Sequence, residues 1–345
     1  MGFHRQMKVV LKIFALFAVS LSASGDPVLP VIDMHLHAFS PDDFGGPQTV
    51  CTNRDDVRFP PVDPGEEITV QKTATCTNPL SSAKTAEENA RRTAELMKQR
   101  NIYGVLDIKV GDNLNEHLAV GEQWRRFAPE RYWFALDFSG DEILPVKELE
   151  SLVLTGKIQV FAEVSPQYDG LLATAEKFQP YFELAERLDV PVGLHLGEGP
   201  PGGASVMPGS KYSPALGRPL DITPLLSRYP KLRLYVMHYG SPLVDEMIAL
   251  LYSHPNVYVD VAQNNWGFPR AHFYDHLKRL VDAGFDKRIM FGSDQMIWPD
   301  TITIAIETIK QAPFLNQQQK RDILYNNAAR FLRLSDEEIA RHHQE

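Results

Sequence analysis

Cysteine is nearly absent. Only Cys51 and Cys76 occur in 345 residues, too few for a disulfide-dense small scaffold, and they lack the C-x2-C spacing of a zinc ribbon. A surplus of basic charge is also missing: 35 Lys and Arg face 44 Asp and Glu, a formal charge of −9, which argues against a nucleic-acid partner. No G-x-G-x-x-G or Walker-type glycine pattern follows an early apolar run, so the main sign of a nucleotide fold is lacking. No internal repeat is found. What is present, 43% hydrophobic, 10% aromatic and 23% charged residues, describes a globular chain with a sizeable core rather than a disordered or collagenous one.

One long apolar run stands at the beginning. Residues 9–23 (VVLKIFALFAVSLSA) follow His4, Arg5 and Lys8 and lead into Ser24 and Gly25, the three-part design of a signal peptide. Its apolar residues, broken by Lys12, fall short of the roughly 20 needed to span a bilayer. Residues 1–25 therefore read as a signal peptide and 26–345 as one barrel domain, periplasmic or secreted, with no stable membrane insertion after signal removal. In such an oxidising compartment Cys51 and Cys76, which flank an irregular stretch rich in Pro, Asp and Thr, are expected to pair. The crosslink would staple an insertion over residues 40–82 and stabilise it by about 3 kcal/mol on the chain-entropy account.

From residue 30 onward, short apolar runs alternate with amphipathic segments. The strand candidates are 30–36, 102–110, 132–138, 158–164, 190–196, 232–237, 257–261 and 288–291; segments 83–100, 172–188, 241–253 and 270–284 repeat apolar residues near a 3.6 period. Several helical patterns close on Gly, Asp or Asn, as stop signals require. Eight strands alternating with helices favour an α/β fold of the (β/α)8 barrel type over an open doubly wound sheet. Insertions follow the first strand (40–82) and the fifth (197–219), where barrel enzymes build their active-site loops.

Polar residues collect at the same strand ends. His35 and His37 end the first strand two residues apart, so the pleat points both imidazoles to one face. Glu163 ends the fourth strand, His195 the fifth and His238 the sixth, while Asp294 follows the eighth. A single buried histidine is more often a hydrogen-bonded core residue than a ligand. Six polar groups at successive strand ends would cost several kcal/mol to bury unless something binds them, and imidazole with carboxylate is a donor set for a divalent cation.

The segments IDMHLH, PVGLHLG, VMHYG, FGSDQMIWP and NNAARFLRL resemble the amidohydrolase superfamily, specifically its amidohydrolase-2 branch, and the resemblance runs from about residue 31 to 334. It implies a metal-dependent barrel in which His35, His37, His195 and Asp294 hold a divalent cation, usually zinc. By the same similarity His238 lies beside the metal, orienting or polarising water or a substrate carbonyl, and Asp294 accepts the water proton. Glu163 has two readings: a bridging ligand between two ions, with His195 and His238 on the second, or a carboxylate hydrogen-bonded to a ligand histidine. One or two ions are thus open, as is a homo-oligomer.

Candidate contacts to a small-molecule substrate are Tyr239, Gln263, Asn264, Trp266 and Trp298 after the later strands, and Lys211 and Arg218 in the fifth-strand insertion, whose cations would suit a carboxylate. Asp33 reads as support for the first strand end. The remaining histidines read as bystanders: His272 and His276 as a surface pair, His342 and His343 as part of a charged tail, His117 and His254 without partners. Functionally the chain reads as an exported metal-dependent hydrolase of small esters, lactones or amides. The alternatives are a nonoxidative decarboxylase of a small carboxylic acid, which needs a cationic anchor such as Arg218 or Lys211, and a noncatalytic metal- or ligand-binding barrel.

Overall fold

The computed structural model describes residues 28–52, 55–111, 113–140, 143–207, 209 and 211–344. The signal peptide expected over residues 1–25 lies outside the described residues. Each of the eight expected strands forms: β1 (Val31–His37), β2 (Ile102–Asp107), β3 (Tyr132–Ala135), β4 (Phe161–Val164), β5 (Val192–His195), β6 (Leu234–Met237), β7 (Tyr258–Asp260) and β8 (Ile289–Met290). All but β1 are shorter than the apolar runs, because the run continues into buried loop at the strand ends.

All ladders between these strands are parallel, in the order β1-β2-β3 and β4-β5-β6-β7-β8. Two seams join the pieces. Gln159 N donates to Phe134 O at 2.9 Å and Leu136 N to Val160 O at 3.3 Å, tying β3 to β4. Met34 N donates to Phe291 O at 2.9 Å, His37 N to Gln295 O at 3.0 Å and Asp294 N to His35 O at 2.8 Å, tying β8 back to β1. The sheet is closed, and the fold is a (β/α)8 barrel.

Eight helices alternate with the strands: α1 (Ala86–Gln99), α2 (Leu114–Phe127), α3 (Val146–Leu154), α4 (Gln179–Leu188), α5 (Thr223–Arg228), α6 (Val244–Ser253), α7 (Arg270–Asp282) and α8 (Asp300–Gln311). Local sequence explains their limits. Thr85 caps α1 by accepting from Glu88 N at 3.1 Å, and Asn113 caps α2 in the same way. Asn101, Asp189 and Gly284, at φ 50°, 56° and 88°, turn the chain after α1, α4 and α7, where left-handed backbone suits a small polar residue or glycine. Each helix buries one stripe; in α7 it is Phe273, His276, Leu277 and Leu280.

Inside the barrel lies a separate packed layer of Ile32, Met34, Tyr103, Val105, Ala162, Tyr235, Met237 and Met290, closed from below by Tyr325, Ala328 and Phe331 of the C-terminal helical segment. Gly193 is required there: a Cβ on it would stand 2.5 Å from the Tyr235 ring, which crosses the interior to donate to Met34 O at 3.1 Å. Three of the histidines set aside above are buried, in this lower part of the structure or on a helix's inner face. His342 stacks on Tyr103 at 3.6 Å and bonds the Tyr325 hydroxyl at 3.0 Å, so it is no part of a charged tail. His276 is buried on the inner face of α7, not on the surface, and His117 is buried with its Nδ1 2.9 Å from Val110 O.

The insertions meet over the opposite end. Cys51 and Cys76 form a disulfide beside a short antiparallel pairing of Thr49–Val50 with Leu80–Ser81. The Thr73 hydroxyl donates to Pro201 O at 3.0 Å, joining the first insertion to the second.

Candidate metal centre

Backbone irregularity aims the central side chains. The β1 ladder shifts register between Asp33 and Leu36, and the β4 ladder between Phe161 and Val164, so His35 and Glu163 both stand at bulges, which redirect side chains at barrel rims. His238, Tyr239, Gln263 and Asp294 all have positive φ, between 43° and 60°. These four are half of the non-glycine residues in that region among the described residues, so backbone strain is concentrated at the strand ends that face the insertions.

The side chains converge in two groups. His35 Nε2 and His37 Nε2 are 3.1 Å apart, and Asp294 Oδ1 stands 3.6 Å from the first and 3.1 Å from the second. Glu163 Oε2 completes this group at 3.4 and 3.3 Å from the same two nitrogens. Its other oxygen, Oε1, lies 3.2 Å from His238 Nε2 and in close contact with His195 Nδ1; the two nitrogens are 3.2 Å apart. Tetrahedral ligands at about 2.1 Å from a zinc ion lie about 3.4 Å from one another, so the donor spacing in both groups suits a cation at its centre.

A ring of carboxylates and carbonyls orients the imidazoles. Asp260 Oδ2 is 3.1 Å from His35 Nδ1, while its Oδ1 accepts from the backbone N–H groups of His238 at 2.8 Å and Ala262 at 3.0 Å. Asp107 Oδ2 stands 3.5 Å from His37 Nδ1, and Ala262 O is 3.1 Å from His238 Nδ1. Such partners fix the ring orientation and the nitrogen that faces a metal. Asp33 accepts from His35 N at 3.1 Å and Ser293 N at 2.8 Å, which holds the β1 and β8 ends together. Burial pushes the Asp33 carboxyl up to about 7.

The electrostatics favour positive charge at the centre. Burial disfavours the charged form of His35, but the Asp294 and Glu163 carboxylates outweigh it and push the imidazole up to about 10. His37 is raised in the same way by Asp107, Asp294 and Glu163 against its burial, and His238 by Glu163. Burial acts to raise Glu163, yet the neighbouring His195 and His35 hold it well below the usual carboxylate range. A field that keeps protons on buried imidazoles is one that a divalent cation would satisfy in their place.

The other expected site residues spread further. Gln263 reaches the cavities under the insertions. Asn264 is buried and donates to Ala262 O at 3.3 Å. Tyr239 is fully buried with its hydroxyl 3.2 Å from His276 Nδ1. Trp298 donates to Gln48 O at 3.3 Å and braces the first insertion; Trp266 Nε1 donates to Ser293 O. Arg218 pairs with Glu246 at 2.6 Å on the surface, and Lys211 is exposed, its N–H donating to Tyr168 O at 3.2 Å. Sequence reasoning missed Asp260, Asp107 and Tyr168, whose ring meets His195 edge-on at 5.2 Å. The two aspartates carried the signal used for the ligands, a polar residue at a strand end; Tyr168 sits in a single 3-10 turn (Pro166–Asp169) too short to show a period.

Imidazole and carboxylate donors gathered at the rim of a closed barrel form a candidate metal site, and the comparisons give the family. The family model described as Amidohydrolase matches residues 32–334, and the chain belongs to this family, in its amidohydrolase-2 branch. Among solved structures it is similar to a probable 2-pyrone-4,6-dicarboxylic acid hydrolase of Acinetobacter baumannii with citric acid bound, at 17% identity and TM-score 0.53, covering 89% of this chain and 100% of that one. It is also similar to a 4-oxalomesaconate hydratase of Rhodopseudomonas palustris at 15% identity and TM-score 0.53, covering 91% and 99%. A dihydroorotase of Campylobacter jejuni aligns at 16% identity and TM-score 0.53, covering 88% and 83%. At these identities the likeness speaks for the fold. No curated protein matches the sequence.

Proposed function

We propose that this chain is an exported metal-dependent hydrolase that directs an activated water at a small ester, lactone or amide. One observation carries the reading: Glu163 offers one carboxylate oxygen to the His35, His37 and Asp294 group and the other to the His195 and His238 group. That division suits two cations sharing one carboxylate, with zinc the first candidate from its preference for imidazole and carboxylate. When bound, such a pair supplies Lewis acidity and a water of lowered pKa.

The protein's own groups account for the remaining chemistry. His35 and His37 are held by Asp260 and Asp107, and their donor atoms face Asp294. Asp294 takes the proton from the attacking water and returns it to the leaving group. His238, fixed through its backbone N–H and Nδ1, orients the carbonyl under attack. The insertions cover this end and limit access of bulk water. Residues 1–25 serve as the export signal and 26–345 as one barrel domain, and the Cys51–Cys76 disulfide supports an oxidising destination. Among the described residues no helix is long and apolar enough to cross a membrane. The hydrolytic reading is favoured over decarboxylation because Arg218, a candidate anchor for a carboxylate, is committed to Glu246 on the surface.

The test is a panel of p-nitrophenyl acetate, dihydrocoumarin and N-acetyl amino acids with zinc-loaded protein. Turnover of at least one ester, lactone or amide, lowered about 10³-fold by Asp294→Asn, is expected. Release of carbon dioxide from small aromatic acids, with no hydrolysis in the panel, would overturn the reading.

A further inference from the structure

A cavity of about 540 Å³ lies between the two insertions, and three rings stand in its wall: Phe59 from the first insertion, Tyr212 from the second and Phe268 from the segment after β7. The wall runs into the candidate centre. Glu198 O is 3.3 Å from His195 Nε2, and the Tyr212 ring stacks at 5.0 Å on Tyr168, which meets the His195 ring edge-on at 5.2 Å. Gln263, also in the wall, directly follows Ala262, whose carbonyl stands 3.1 Å from His238 Nδ1.

The rings are held in place by the protein itself. Phe59 lies inside the loop closed by the Cys51–Cys76 disulfide, and the residue before it is pinned across that loop, Arg58 N donating to Thr75 O at 3.0 Å and Thr75 N to Arg58 O at 2.9 Å. Its ring leans on Phe268, with centroids 5.8 Å apart and planes crossing at 52°. Gly199 N donates to the Tyr212 hydroxyl at 2.6 Å, and a Cβ on Gly199 would stand 3.0 Å from the Tyr212 ring, so glycine lets the chain lie against it. Phe59 is nonetheless 46% exposed, and no other phenylalanine or tryptophan among the described residues is so open. The single charged residue in the wall, Glu198, keeps both carboxylate oxygens shielded from solvent, so the cavity surface among the described residues is made of rings, prolines, small polar side chains and backbone. A concave surface of fixed rings favours a flat ring that lies against their faces and edges without first ordering loose side chains.

We propose that this cavity is the specificity subsite of the hydrolase and takes an aromatic ring of the substrate, with Phe59, carried on the disulfide-closed insertion, as the side chain that selects it. The proposal rests on the hydrolase reading for its role in turnover, while the binding it describes is independent of catalysis.

Binding of benzyl alcohol and of its saturated analogue cyclohexylmethanol to the zinc-loaded full chain, followed by ligand-observed NMR titration, tests it. The two differ only in the ring, and the saturated one is the more apolar, so hydrophobic burial alone would favour cyclohexylmethanol. Benzyl alcohol is expected to bind at least about threefold more tightly. Phe59→Ala, a change at a half-exposed side chain, should weaken benzyl alcohol about threefold or more and leave zinc content unchanged. Cyclohexylmethanol binding at least as tightly as benzyl alcohol to the wild-type protein would overturn the proposal, and this comparison needs no variant to fold. So would an unchanged benzyl alcohol affinity in a folded Phe59→Ala. The hydrolysis panel above, run on the same samples, separates the two readings: turnover without a preference for benzyl alcohol removes the subsite alone, whereas a Phe59-dependent preference with no hydrolysis in the panel removes the hydrolase alone.

Discussion

The two ends of the barrel bury the same residue type to different effect. At the closed end His342 lies in a complete local arrangement, stacked on Tyr103, bonded to the Tyr325 hydroxyl, with its carbonyl accepting from Asn101 at 2.7 Å. At the open end His35, His37, His195 and His238 turn ring nitrogens toward one another and toward Glu163, in arrangements no single proton can satisfy. Burial of an imidazole is therefore no mark of function. Convergence of several lone pairs and carboxylate oxygens on a common point is.

That contrast can be broken first where its effect is largest. His37→Ala removes a donor from the first group and should lower kcat/KM by about 10³-fold or more, while circular dichroism shows the barrel intact. Next is Asp260→Asn, which weakens the hold on His35 Nδ1 and on the backbone of His238. Cation affinity measured by competition with a chelator should fall about 10–100-fold, with the fold retained. His342→Ala should do the reverse, costing about 2 kcal/mol in urea unfolding through the lost stack and the orphaned Tyr325 hydroxyl, with zinc content and turnover unchanged.

The smallest effect concerns pH. Burial and the adjacent His272 push the His276 imidazole down to about 4. Because the unfolded chain binds that proton near the ordinary 6.5, the contribution of neutral His276 is complete above pH 6.5 and is lost as pH falls toward 4. In unfolding experiments over that window on chelator-treated protein, His276→Gln should show a shallower loss of stability than wild type.

The barrel and most of the candidate centre were legible because both are written locally. Period 2 places His35 and His37 on one face, and an apolar run ending in a polar residue marks Glu163, His195 and His238. Strand lengths were less legible, since residues such as Ile108 and Leu136 remain buried just past the ends of their strands. His276 and His342 escaped because their partners are remote: Tyr239 lies 37 residues from His276, and Tyr103 meets His342 only once the C-terminal helix packs beneath the barrel. Glu198 sits in a Gly- and Pro-rich loop with no period, and the lack of a hydrogen-bond partner for its buried carboxylate oxygens among the described residues is a property of three dimensions alone. Arg218 carries the converse lesson, since a cation in an active-site insertion reads as a substrate anchor until Glu246 is seen beside it.

The central claim is that Glu163 joins two donor groups, and metal content per chain tests it most directly. Elemental analysis of wild-type protein and Glu163→Gln, purified side by side without chelator, should give two ions per chain in the first and one or none in the second. One ion in both proteins would contradict a shared carboxylate and leave Glu163 as a hydrogen-bonding support, and no ion in either would contradict the metal centre itself.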